Sequence, residues 1–282
     1  MSHSPSTSSA IDRLYDEQSR HFPHWEKIKN IVDECIDMTL NYRQSGHPGG
    51  SRSKVHALLT TLLSGSMRYD LRHPEKRFGD RYVLVAGHCT PLLYSTLAVL
   101  SEALRYMAEQ SGESRYRIAH APEHALYWED LMTFRRNGGL PGHAECEGKT
   151  LFVKANTGPS GHGTPVAAGI AMALKRAGAE GVRVFALEGE GGLTAGVSHE
   201  TRNSAWGLGL DNLVFCIDWN DFGIDKRAAS SVVSGGPADW FGAAGWRVVG
   251  VENGMDWPDL TRGLLETVHG ANPEKRPSAC WF

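Results

Sequence analysis

With 282 residues, a formal net charge of −3, 41% hydrophobic and 22% charged residues, the chain has an ordinary globular composition and enough length for one large α/β domain. The near balance of charge argues against a nucleic-acid surface. No polybasic stretch, lipidation signal, apolar run of transmembrane length or signal peptide speaks for a membrane or for export, so a cytoplasmic protein is expected. Cys35, Cys89, Cys146, Cys216 and Cys280 are odd in number, widely spaced and without a Cys-x-x-Cys pair, which suits buried thiols better than a disulfide framework or a zinc site.

In chain order, residues 1–10 are Ser-rich and predict a disordered leader. Apolar residues at helical spacing, from Ile28 through Leu40, predict a helix over 25–43. It stops before Ser45-Gly46-His47-Pro48-Gly49-Gly50, whose breakers predict a loop, and a second helix restarts over 55–63. Residues 82–85 predict the first core strand, delivering Gly87-His88 at its carboxyl end, with a helix over 91–104 behind it. Residues 106–150 are less regular, with Trp128-Glu129-Asp130-Leu131 and the run Gly138-Gly139-Leu140-Pro141-Gly142-His143. Thr157-Gly158-Pro159-Ser160-Gly161-His162-Gly163 then leads into a small-residue helix over 165–175. After Gly245-Trp246, a strand over 247–251 and a helix near 257–268 are expected. Ser278-Ala279-Cys280-Trp281-Phe282 has the pattern of one more core strand, so we expect that the chain is cut from, or is one half of, a longer enzyme.

The middle of the chain carries the chemistry. Residues 182–187 and 212–217 are β-branched apolar runs, each ending in a Gly-rich or polar break, and 195–208 suits a crossover helix closed by glycine. The unit is β-α-β, and the expected architecture is a three-layer α/β domain with a mostly parallel central sheet flanked by helices. Ligands of such folds sit at the carboxyl ends of the strands. Here those ends carry Gly189-Glu190-Gly191 and Asn220. A carboxylate and an amide offer the hard oxygens that Mg²⁺ prefers, and flanking glycines let backbone approach a diphosphate closely. Three histidines, His47, His88 and His143, recur on glycine- and proline-lined loops expected along the same edge as Gly158 and Glu190; imidazole exchanges protons near neutral pH.

On these residues the chain resembles the thiamine-diphosphate-dependent transketolases, over about 25–282. Ser45-Gly46-His47-Pro48-Gly49-Gly50 matches the family loop residue for residue. The stretch 81–88 is similar to its strand ending in Gly-His-Gly, Leu140-Pro141-Gly142-His143-Ala144-Glu145 to its Leu-Pro-Gly-His-Pro-Glu, and Thr157-Gly158-Pro159-Ser160-Gly161-His162-Gly163 to its Thr-Gly-Pro-Leu-Gly-Gln-Gly. Gly189-Glu190-Gly191 with Asn220 stands where the family's Gly-Asp-Gly and downstream Asn would be. The resemblance implies the amino-terminal diphosphate-binding domain over 11–282, without the pyrimidine-binding and carboxyl-terminal domains. It implies thiamine diphosphate and Mg²⁺ as cofactors, with Ca²⁺ or Mn²⁺ as substitutes. Glu190, Asn220 and the carbonyl of Phe222 would hold the metal; His88, Gly158, Pro159, Ser160, Gly191 and Asn220 would contact the cofactor; His47 and His143 would face the sugar.

The activity so implied is transfer of a two-carbon ketol unit between sugars or sugar phosphates. The pyrimidine half would come from a homodimer of a longer chain or from a heteromer with a carboxyl-terminal transketolase subunit. Departures are specific: Glu190 replaces Asp, Ala195 stands for a Glu, Cys89 for a glycine, His162 for a glutamine, and Ser51-Arg52-Ser53-Lys54 for Pro-Met-Gly-Met. Arg52 and Lys54 are expected on a solvated helix start, with service to phosphorylated substrates as the alternative. Two other functions stay open at this point. One is an E1 component of a 2-oxo-acid dehydrogenase, from Leu210-Asp211-Asn212-Leu213-Val214-Phe215 and Gly245-Trp246. The other is a noncatalytic homologue, from Glu190 and Ala195.

Overall fold

Five parallel strands in the order β1-β2-β3-β5-β4 form the centre of the molecule, in a computed structural model that describes residues 7–76, 79–224 and 227–282. They are β1 (Arg81–Leu84), β2 (Val184–Gly189), β3 (Leu213–Asp218), β4 (Arg247–Gly250) and β5 (Ser278–Trp281). Twelve α-helices punctuate the described residues: α1 (Thr7–Ser19), α2 (Phe22–Arg43), α3 (Pro48–Arg52), α4 (Val55–Leu63), α5 (Thr90–Ser111), α6 (Ala121–His124), α7 (Trp128–Leu131), α8 (Gly163–Arg176), α9 (Glu190–Leu193), α10 (Gly196–Gly207), α11 (Ala228–Ser231) and α12 (Trp257–His269). No helix among the described residues is long and apolar enough to cross a membrane.

A parallel sheet covered on both faces asks for continuous apolar strands rather than alternating ones, and β2 and β3 supply them. Phe185, Leu187, Val214 and Cys216 point to a core shared with α2, α4, α5 and α12. Val184, Ala186, Leu213, Phe215 and Ile217 point to a second core with α8, α10, Phe241 and Trp246. The three layers expected from the sequence are thus present, and the sheet is parallel throughout. Burying rings such as Phe185 and Phe215 stabilises the fold by about 1.5–3 kcal/mol each. β5 lies inside the sheet: Val214 and Arg247 both face Ser278 in register, and Phe282 N–H reaches Ile217 O at 3.0 Å. The carboxyl-terminal run is therefore an interior strand on which both neighbours depend.

Local signals explain the helix ends. Asp256 caps α12 by accepting the Asp259 N–H at 2.9 Å. At the end of α10, Gly209 adopts φ +59 and Leu210 N–H returns to Ala205 O at 3.0 Å, the glycine closure expected there. Two expectations need correction. The leader placed at 1–10 is helical from Thr7 onward, because α1 packs against α12; residues 1–6 lie outside the described residues. The segment placed in a loop at 45–50 enters helix at Pro48, since proline in a first turn lacks only an N–H that a helix start leaves unused.

Candidate functional site

The carboxyl ends of β1, β2 and β3 turn directly into the residues singled out by sequence. His88 lies in a tight 3₁₀ turn after β1, Glu190 opens α9 after β2, and Asn220 follows β3 by two residues. His47 arrives from another direction, as the residue that begins α3. Its ring meets that of His88 edge-on, with centroids 5.7 Å apart and planes at 82°. His143 is fixed from behind, where Tyr94 Oη donates to Pro141 O at 3.0 Å and Thr90 Oγ1 to Gly142 O at 3.0 Å. A Cβ built on Gly158 would sit 3.5 Å from the His143 ring, and one on Gly87 only 2.7 Å from Gly158 N. Glycine at 87 thus lets the His88 and Gly158 turns touch. The three histidines and Gly158 do converge.

Exposure sorts these residues into two tiers. His47, His143, Pro159, Ser160, Gly191 and Phe222 are exposed and Gly158 is half-buried; Glu188, Glu190, Asp218 and Lys54 are buried beneath them. His88 is half-buried, and burial, followed by the charges of Lys54, His47 and His143, pushes its pKa down to about 4. It is neutral at physiological pH. Among the described residues nothing comes within 4 Å of where a side chain on Gly191 would stand.

The lower tier holds an electrostatic cluster that sequence reading did not assemble. Asp218 Oδ2 accepts Ser53 Oγ at 2.6 Å, Lys54 Nζ at 2.7 Å and Asn220 Nδ2 at 2.8 Å. Glu188 Oε1 accepts the Gly189 N–H at 2.9 Å and Oε2 the Gly161 N–H at 3.3 Å. Burial outweighs those bonds and pushes the Glu188 carboxyl up to about 7. Glu190 is 2% exposed, its pKa is raised by burial with the Asp218 charge adding to it, and its Oε1 has no hydrogen-bond partner among the described residues. The signal for Glu188 and Asp218 was present: each is an acidic residue closing an otherwise apolar strand.

The expectation of a solvated side chain holds for Arg52 and is corrected for Lys54. Lys54 is 4% exposed and ion-paired with Asp218, so it lies on neither a solvated helix start nor a substrate surface. Arg52 is half-exposed and turns back to α2, with Nη1 3.0 Å from Asp37 and Nε 3.6 Å from Asp33. Both cations are already committed to carboxylates of this chain.

Among the described residues no three His, Cys, Asp or Glu side chains cluster as a metal site. The donors expected from the sequence are different in kind: one carboxylate, one amide and one backbone carbonyl. Asn220 gives its amide N–H to Asp218 and accepts the Phe222 N–H on Oδ1 at 2.8 Å, which leaves a second lone pair on that oxygen. Together with the orphaned Glu190 Oε1 this all-oxygen set fits a hard divalent cation, and the space beside Gly191 fits close approach of an anion to backbone.

Comparison with known proteins gives one answer. A family model described as "Transketolase, thiamine diphosphate binding domain" matches residues 27–279. A transketolase of Halalkalibacterium halodurans is 32% identical over 264 residues, which is 89% of this chain and 35% of that protein. A transketolase of Geobacillus stearothermophilus is 32% identical over 249 residues, covering 85% and 33% respectively. The solved structure of transketolase from Leishmania mexicana superposes with a TM-score of 0.73 at 25% identity, over 91% of this chain and 36% of that one. This chain therefore spans about a third of the length of the relatives it matches. By the match of nearly its whole length to that thiamine diphosphate binding domain, the chain belongs to the transketolase family.

Proposed function

We propose that this chain supplies the diphosphate-and-metal half of a thiamine diphosphate site. Joined to a pyrimidine-binding domain, it serves transfer of a two-carbon ketol unit from a ketose or ketose phosphate to an aldose or aldose phosphate. The observation that carries this reading is Glu190 Oε1: a buried carboxylate oxygen without a partner among the described residues, at the carboxyl end of β2 and one strand away from Asn220. Such an atom costs stability unless a cation or donor satisfies it.

Glu190, the Asn220 oxygen and the Phe222 carbonyl would hold Mg²⁺. His88, Gly158, Pro159, Ser160, Gly191 and Asn220 would line the cofactor, whose thiazolium ring supplies the nucleophilic carbon and the electron sink when bound. His88, kept neutral, offers a hydrogen bond there without a competing positive charge. His47 and His143, exposed above the lower tier, would face the sugar, orient its hydroxyls and exchange protons with them. The complementary half of the pocket would come from a second copy of a longer chain or from a separate carboxyl-terminal subunit, in the cytoplasm.

Calorimetric titration with thiamine diphosphate in Mg²⁺, followed by a ketol-transfer assay after adding a carboxyl-terminal transketolase chain, tests this. Metal-linked binding by the chain and turnover only in the mixture are expected. Absence of binding and of turnover in the complete mixture would overturn the reading.

A further inference from the structure

Lys54 is a buried cation among buried acids, at the carboxyl edge of the sheet. Its Nζ lies 2.7 Å from Asp218 Oδ2 and 3.2 Å from Gly50 O, and 3.7 Å from where a Cβ on Gly189 would stand. It thus reaches from α4's start to the ends of both β2 and β3. Glu188 and Glu190 are the other acids there, and both feel its charge. Without Lys54, three buried carboxyl groups would lie beneath the position assigned to a polyanion. Like charges so placed repel strongly in a poorly solvated site. Asp218 in turn grips the amide N–H of Asn220, which fixes the direction of the Asn220 oxygen.

Resting on the cofactor reading above, we propose that Lys54 is a resident cation of this site. By neutralising Asp218 it lowers the dependence of diphosphate binding on a divalent metal, and through Asp218 it orients the Asn220 oxygen. Lys54 is a positioning and charge-balancing residue and touches no reacting atom.

The test is a binding cycle on the full chain, with thiamine diphosphate and inorganic diphosphate as probes, titrated in excess Mg²⁺ and in EDTA. The wild-type protein is expected to keep measurable affinity for both probes in EDTA. Lys54→Met leaves Asp218 uncompensated, so its affinity in EDTA should fall by about tenfold or more, with a smaller loss in Mg²⁺. The double variant K54M/D218N removes both charges, so its ratio of affinities with and without Mg²⁺ should return toward that of the wild type. Where K54M folds poorly, Lys54→Gln, which keeps a donor toward Asp218 and removes only the charge, takes its place with the same expected loss in EDTA.

A ratio equal in wild type, K54M and the double variant would overturn the proposal while leaving the cofactor reading intact. A wild-type protein that binds in Mg²⁺ and not at all in EDTA would do the same. No binding by the wild type under either condition, alone or with the complementing chain, would overturn both.

Discussion

The backbone N–H of Gly161 donates to Glu188 Oε2 at 3.3 Å, tying the loop that carries Gly158, Pro159 and Ser160 to the end of β2. With the Gly189 N–H on Oε1 it gives each oxygen of this carboxyl group, 3% exposed, one backbone donor. It also sets a pH dependence. The ordinary value of 4.5 rises to about 7 in the fold, so folding takes up a proton between these values. Stability is greatest, as far as this group is concerned, below the unfolded value and is lost as pH rises through about 7. The total is about 3 kcal/mol. Denaturant unfolding of wild type and Glu188→Gln at pH 5 and pH 8 checks this: the wild type should lose stability across the interval relative to the variant. Parallel profiles would refute it.

Glu190 gives a second prediction with an opposite experimental face. Burial and the neighbouring Asp218 raise its pKa, and its Oε1 has no partner among the described residues, so the charged group costs stability when no cation is present. Glu190→Gln should raise the melting temperature in EDTA and abolish the further rise that Mg²⁺ with thiamine diphosphate gives the wild type. Differential scanning calorimetry under the two conditions reads both effects, and a variant still stabilised by the metal would remove Glu190 from the ligand set.

How much of this was legible in sequence follows from the distance over which each signal acts. Strands 184–189 and 213–218 and the Gly209 closure were readable because apolar runs and glycine caps are local. The convergence of His47, His88 and His143 was expected from their shared glycine- and proline-lined loops and again from the family resemblance, although His47 reaches the site from the start of α3 rather than from a strand end. Lys54 was misplaced because a lysine following Arg52 and Ser53 looks solvated; its partner Asp218 is 164 residues away, and no periodicity announces such a pair. Helix α1 was missed because its burial against α12 is likewise a tertiary effect overriding a polar composition.

Two glycines of the site separate folding from binding. Gly161 has φ +75, and a Cβ there would lie 2.5 Å from Gly192 O and 2.7 Å from Ser198 Oγ. Gly161→Ala should therefore destabilise the protein by about 2–4 kcal/mol, through strain and overlap together. Gly191 has nothing among the described residues within 4 Å of the same position, so Gly191→Ala should unfold at the wild-type denaturant concentration. Its affinity for thiamine diphosphate should nevertheless fall about tenfold or more, because the new methyl group occupies the space assigned to the diphosphate. Equal affinity of Gly191→Ala and wild type would argue that the anion does not approach that backbone.

His88 supplies the last prediction. Its half-buried ring faces Lys54, His47 and His143, and its pKa is lowered from 6.5 to about 4, with burial as the largest cause. Its neutral form is the one the fold favours, so this stability contribution is complete above 6.5 and is lost as pH falls toward about 4. In a ¹H–¹⁵N spectrum of the imidazoles, assigned with His88→Gln, the His88 signals should stay at their neutral positions from pH 8 down to pH 5.5. In the K54M/D218N variant the ammonium no longer opposes protonation, and the midpoint should move upward toward 6.5. A His88 midpoint near 6.5 in the wild type would mean that water reaches the ring freely. The donor it offers beside Gly158 would then change charge within the physiological range instead of remaining a fixed neutral contact.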